Sequence, residues 1–159
     1  MNNSITITET KLVYDEYYNA YNVSIETQKK LGSVDVLAVP GKYNESTYLF
    51  GQETIDFIKY CRQHDDEHTY DILADKVDVL SLHSFDIWLP ILFISESIVI
   101  PFAINMISNY IWEKRKGREH EDAKVDVTLI LEKDGTKKTE HYHGDAAKFS
   151  DTFKDFRIN

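Results

Sequence analysis

The stretch from Ile87 to Trp112 reads IWLPILFISESIVIPFAINMISNYIW, and it limits the possible folds more than any other part of the chain. Its 26 residues contain a single formal charge, Glu96, and two prolines, Pro90 and Pro101. As one continuous helix it would be about 39 Å long at 1.5 Å per residue. That length would cross a hydrocarbon core of about 30 Å. The basic run that follows, with Lys114, Arg115, Lys116 and Arg118, would then mark the cytoplasmic side.

Other residues argue against a membrane span. Glu96 near the middle would cost on the order of 3 kcal/mol in lipid. Ser95, Ser97, Asn105, Ser108 and Asn109 add smaller penalties. Pro101 removes a backbone hydrogen bond and predicts a kink. Plotted as a helix, Ser95, Glu96 and Ser97 spread over about 200°, so no polar stripe forms. The expectation is therefore a proline-kinked apolar helix that needs burial on every side. A chain of this size can wrap such a helix only in part, which points to contact with a protein partner or a second copy of the chain. The interface residues predicted on this reading are Trp88, Leu92, Phe93, Ile98, Phe102, Met106, Tyr110 and Trp112. Membrane contact, peripheral or single-pass, is the alternative. The basic run is otherwise a solvated helix end, because Glu113, Glu119, Glu121 and Asp122 largely cancel it.

Before this segment the period of apolar residues is shorter. Ile5 and Ile7, then Leu12 and Tyr14, alternate with polar residues over 4–14 and predict a strand. Val23 and Ile25 repeat the pattern over 21–27, and Val34 to Val39 gives a third strand stopped by Pro40-Gly41. A small, largely antiparallel N-terminal sheet follows from these. Over 52–64 Ile55, Ile58 and Cys61 recur every third residue, which fits an amphipathic helix. A short helix near 69–75 and a strand near 77–82 come next, and Ser84 reads as a helix N-cap.

After the segment, Val125, Val127, Leu129 and Leu131 alternate with polar residues, and Asp134-Gly135 is a strong hairpin turn. The return strand, Lys137 to His143, is polar and belongs near a sheet edge. Gly144-Asp145 then opens a last helix with Ala146, Phe149, Phe153 and Phe156 on one stripe. The predicted fold class is α+β: an N-terminal α+β region (1–84), the apolar helix (85–112), a charged linker (113–123) and a C-terminal ββα unit (124–159), together one composite domain.

Charge excludes one class of partner. Residues 1–84 carry 7 Lys/Arg against 14 Asp/Glu, a balance of −7. A surface of that sign repels phosphate backbones, so nucleic acid is not an expected partner. The first ten residues have neither a basic start nor an apolar run, and the single cysteine, Cys61, allows no intrachain disulfide. Both fit a cytoplasmic protein, with inner-membrane association as the alternative.

Catalytic patterns are sparse. His64 and His68 would share a face of a continuous helix, and His141 and His143 one side of a strand, as paired metal ligands must. With Asp145 or His120 as a third ligand, His141 and His143 would make a metal-dependent hydrolase conceivable. The plainer reading is a solvated helix end and an exposed strand. Cys61 lies on the apolar stripe of its helix and reads as a small core residue. The six glycines form no phosphate loop, and GxSxG, CxxC and SxxK do not occur. The tyrosine cluster Tyr14, Tyr17, Tyr18 and Tyr21 reads as packing rather than a stacking surface for sugar or base. The expected function is thus non-catalytic, with no cofactor.

The order of apolar helix with interior proline, charged link (EKRKGREHED), hairpin (VDVTLIL…KKTEHYH) and Gly-Asp helix start (GDAAKF) over residues 85–156 resembles bacterial effector-associated constant component proteins. The resemblance implies an accessory protein of a defence or conflict system that supports or regulates an effector.

Overall fold

The computed structural model describes residues 4–9, 14–31, 33–42, 47–77, 79–80, 87–96, 100–117, 123–134 and 136–153. In chain order these form β1 (Ser4–Glu9), α1 (Asp15–Tyr21), α2 (Ile25–Gln28), β2 (Val36–Ala38), β3 (Gly41–Lys42), β4 (Tyr48–Gly51), α3 (Gln52–His64), β5 (Tyr70–Ile72) and β6 (Val79–Leu80). Then come β7 (Ile87–Ile94), α4 (Ile100–Arg115), β8 (Lys124–Lys133), β9 (Thr136–Asp145), a 3-10 turn (Ala146–Lys148) and α5 (Phe149–Phe153).

The apolar segment is not one helix. Its first part is β7, a central strand of a six-stranded mixed sheet ordered β1-β9-β8-β7-β2-β5. β7 runs parallel to β8 and antiparallel to β2. A strand covered on both faces is apolar throughout, so its sequence shows no polar side. Pro90 falls inside a register shift between Leu89 and Leu92, where a missing N–H costs the ladder least. Glu96 lies just beyond the strand, and its exposed carboxylate accepts the backbone N–H of Asp134 at 2.7 Å. The segment's one charge therefore sits in a loop at the hairpin turn, not within a span.

Its second part is α4. Pro101 is the second residue of that helix, in the first turn, where no intrahelical N–H bond is needed, so it starts the helix instead of kinking it. Ala103, Ile104, Met106, Ile107, Tyr110 and Ile111 are buried, the i, i+3, i+4, i+7, i+8 stripe of an amphipathic helix. Among the described residues no helix is long and apolar enough to cross a membrane.

The main core lies between α4, α3 and one sheet face, joining Ile107, Phe57, Cys61, Leu89, Leu92, Val127 and Leu129. A second core lies on the opposite face, where Tyr17 and Val23 cover Leu37, Val39, Phe93 and Ile130. The apolar segment thus finds its cover inside the chain, on both sides of the sheet.

Among the described residues, the strands expected to form a small N-terminal sheet do not pair with one another. β1 instead pairs antiparallel with β9 at the sheet edge, and β2 inserts between β7 and β5. Val36, Leu37 and Ala38 are all buried and need neighbours on both sides. A separate three-stranded sheet, β3-β4-β6, forms beside them. The strand expected over 21–27 is the end of α1 followed by α2, which Ser24 caps by accepting the Thr27 N–H at 3.2 Å. The helix expected near 69–75 is β5. The helix over 52–64, the strand within 34–39 and the hairpin with a polar return strand near the edge are found as expected. Ser84 and Phe156 lie outside the described residues, as does the Phe153 side chain. Asp145 precedes the 3-10 turn but gives its carboxylate to Lys124 instead of a cap.

Candidate functional site

The predicted interface residues separate into two groups. Leu92, Phe93, Met106 and Tyr110 are buried within the fold. Trp88 is half-buried, and Ile98 lies outside the described residues. Phe102 and Trp112 are the two that face solvent, 36% and 57% exposed. With exposed Asn105 and Asn109 they follow the i, i+3, i+7, i+10 spacing of a single stripe on the outer side of α4. Ten residues separate the two aromatics, about 15 Å along the axis. Lys116 Nζ lies 5.5 Å from the Trp112 ring centroid, and the His68 ring lies 5.0 Å from that of Phe102.

His64 and His68 do not act together. α3 ends at His64, whose Nδ1 is 2.8 Å from the Tyr60 carbonyl and whose ring stacks on Tyr60. His68 lies in the following loop, with Nδ1 2.8 Å from Asp65 Oδ2. Asp65 also accepts from the Tyr70 hydroxyl and the Glu67 N–H, and these bonds hold its carboxyl below the usual range despite burial.

His141 and His143 do lie together, on the outward face of β9. Asp126 of β8 stands between them: His141 Nε2 is 2.9 Å from Oδ1 and His143 Nδ1 is 3.1 Å from Oδ2. Each imidazole therefore donates to its own carboxylate oxygen, and the three groups do not converge on a common point. Asp145 turns to Lys124, and His120 lies outside the described residues. Among the described residues no group of three His, Cys, Asp or Glu side chains is arranged to hold a metal ion.

Two reactive side chains, Cys61 and Glu140, are buried. Cys61 is wholly buried, and burial pushes its thiol well above the ordinary range. Its position in the core agrees with the packing role read from sequence. Glu140, on the inward face of β9, is 1% exposed, and neither carboxylate oxygen has a hydrogen-bond partner. Burial pushes its carboxyl up to about 7, with Lys138 opposing the rise. The sequence marks this residue poorly, because a Glu in a polar return strand looks solvated. The only hint is alternation: it lies two residues from Tyr142, on the same side of β9.

A cleft opens between α1, β4 and the turn after β5, with a volume of about 110 Å³. Tyr17, Tyr21, Tyr48 and Phe50 wall it, and Asp75 and Lys76 stand among its lining. Part of the tyrosine cluster read as packing thus also lines a concavity.

Comparison with known proteins finds no matching family, no matching curated protein and no matching solved structure.

Proposed function

We propose that this chain is a non-catalytic protein-binding module that docks a partner protein through the outer face of α4. The observation that carries this reading is the stripe of Phe102 and Trp112, two large aromatics left in solvent on a helix whose other side is fully packed. Buried tryptophan and other aromatic side chains contribute disproportionately to protein interfaces. Exposed Asn105 and Asn109 between them, with Glu113 and Lys116 beyond, supply a polar surround. The resemblance of residues 85–156 to effector-associated accessory proteins would make that partner an effector enzyme.

Light scattering on the purified chain, together with affinity purification from the native host, tests the reading for wild type and Trp112→Ser. The expected result is a discrete homo-oligomer or one stoichiometric partner with wild type, lost in the variant at unchanged thermal stability. A monomer that retains no partner in either form overturns it.

A further inference from the structure

The tyrosine-walled cleft lies apart from α4 and has its own chemistry. Its three tyrosine rings are mutually close. Tyr17 lies 5.6 Å from Tyr21 and 5.1 Å from Tyr48, both tilted, and Tyr21 meets Tyr48 at 6.1 Å and 81°. Two near-perpendicular rings make an inside corner. The hydroxyls of two of them are taken up by backbone: Tyr17 donates to the Leu73 carbonyl at 2.6 Å, and Tyr21 accepts the Tyr48 N–H at 3.0 Å. Those bonds fix the Tyr17 and Tyr21 rings in the wall of the cleft.

One carboxylate is built into the lining. Asp75 accepts from the Ser24 N–H at 2.7 Å, from the Ser24 hydroxyl at 2.8 Å and from the Thr27 hydroxyl. These bonds, that from Thr27 foremost, hold its carboxyl below the usual range. The negative charge is therefore fixed in place, within a chain half that balances to −7 over residues 1–84.

Volume narrows the ligand. At about 110 Å³ the cleft takes a head group of a few heavy atoms, not the drug-sized ligand of a pocket of roughly 300–1,000 Å³. Aromatic walls with one carboxylate favour a cation over an anion or a neutral polar group. A bare ammonium is a compact, strongly hydrated charge and gives up much of that hydration on entering an aromatic-walled cleft. An ammonium whose hydrogens are replaced by methyl groups loses less and gains contact with the rings. We propose that the cleft formed by Tyr17, Tyr21, Tyr48 and Asp75 binds a methylated ammonium head group, carried by a free small molecule or by a lysine side chain. Lys76, exposed in the lining, adds a positive charge at the cleft that opposes a cationic ligand.

The test is an NMR titration of the full chain with three probes: choline, a short peptide bearing trimethyl-lysine, and 3,3-dimethylbutan-1-ol, the neutral isostere of choline. Saturable shifts at Tyr17, Tyr21 and Tyr48 are expected with at least one cation, about tenfold tighter than with the isostere. Choline alone would identify a free metabolite, and the peptide alone a modified protein. Binding of both would define a site that reads only the head group. Tyr21→Ala and Asp75→Asn should each weaken binding several-fold with distant amide shifts unchanged, while Lys76→Met should tighten it. No saturable shift with either cation into the tens of millimolar overturns the proposal. So does equal binding of the neutral isostere, or Asp75→Asn and Lys76→Met variants that both bind as wild type.

Discussion

Replacing Glu140 with Gln should stabilise the protein at alkaline pH and leave it nearly unchanged at acidic pH. The carboxyl is 1% exposed, neither oxygen is hydrogen-bonded, and its pKa rises from 4.5 to about 7. In register it faces Leu129 on β8 and Ile7 on β1, and the Lys138 charge opposes the rise. The folded state thus binds a proton more tightly than the unfolded chain. Its stabilising effect is fully present below pH 4.5, falls as pH rises towards 7, and is gone above that. A gap of about 2.5 pH units at about 1.4 kcal/mol per unit gives about 3 kcal/mol. Glutamine has the shape of the protonated acid and no titration, so it should recover about that amount at pH 8. In a domain of this size the melting temperature would rise by roughly 6–12 °C. Urea unfolding of both proteins between pH 4 and 8 measures the effect, and the difference between the two curves removes every other titrating group. Parallel pH profiles would refute the reasoning, since they would mean that Glu140 is ionised and satisfied in the native fold.

Other consequences are simpler to measure. Cys61, buried with its thiol pushed up, should resist a thiol reagent in the native protein and react at the rate of global unfolding; prompt labelling would contradict its core position. Ile107→Ala should cost about 2–5 kcal/mol in urea unfolding. Trp112→Ala on the other side of the same helix should stay within about 1 kcal/mol; similar losses would show that the two sides are not distinct. Ser24→Ala removes the cap on α2 and the hydroxyl hydrogen bond to Asp75; since the bond from the Ser24 backbone N–H to Asp75 survives, the loss should be about 1 kcal/mol. Because bonds from Thr27 and Ser24 hold the Asp75 carboxyl low, its contribution is present above the usual carboxylate range and is lost as pH falls. The Ser24→Ala deficit should accordingly shrink in acid.

Local signals were legible where one period and one turn agreed. Alternation on both sides of Asp134-Gly135 located the hairpin, and a three-residue repeat located α3. The segment from Ile87 to Trp112 resisted because a strand buried on both faces and a buried helix are both apolar, and periodicity alone cannot separate them. Averaging β7 with α4 hid the clean stripe of the latter. Pro101 starts a helix where its place in the segment predicts a kink, and Glu96, which by sequence weighs against a membrane span, is a loop residue. Over 21–27 the apolar spacing of Val23 and Ile25 looked like a strand, though Ser24 followed by Thr27 carried the capping geometry that the structure uses. Strand pairing lay further out of reach: nothing in Ser4 to Glu9 tells that its partner is Thr136 to Asp145 at the other end of the chain. Of the candidate sites, the closeness of His141 to His143 was readable from alternation, but not Asp126 between them. The cleft was hidden for the same reason, because Tyr48 and Asp75 join Tyr17 and Tyr21 only through the tertiary fold.

The outer face of α4 is tested most directly by a photo-reactive amino acid placed at position 112 in the native host, with exposed Glu26 as the control position. A docking surface there should give one discrete cross-linked product at 112 and none at 26, and Phe102→Ser should abolish it. No product at 112, or the same products at both positions, would contradict the proposal.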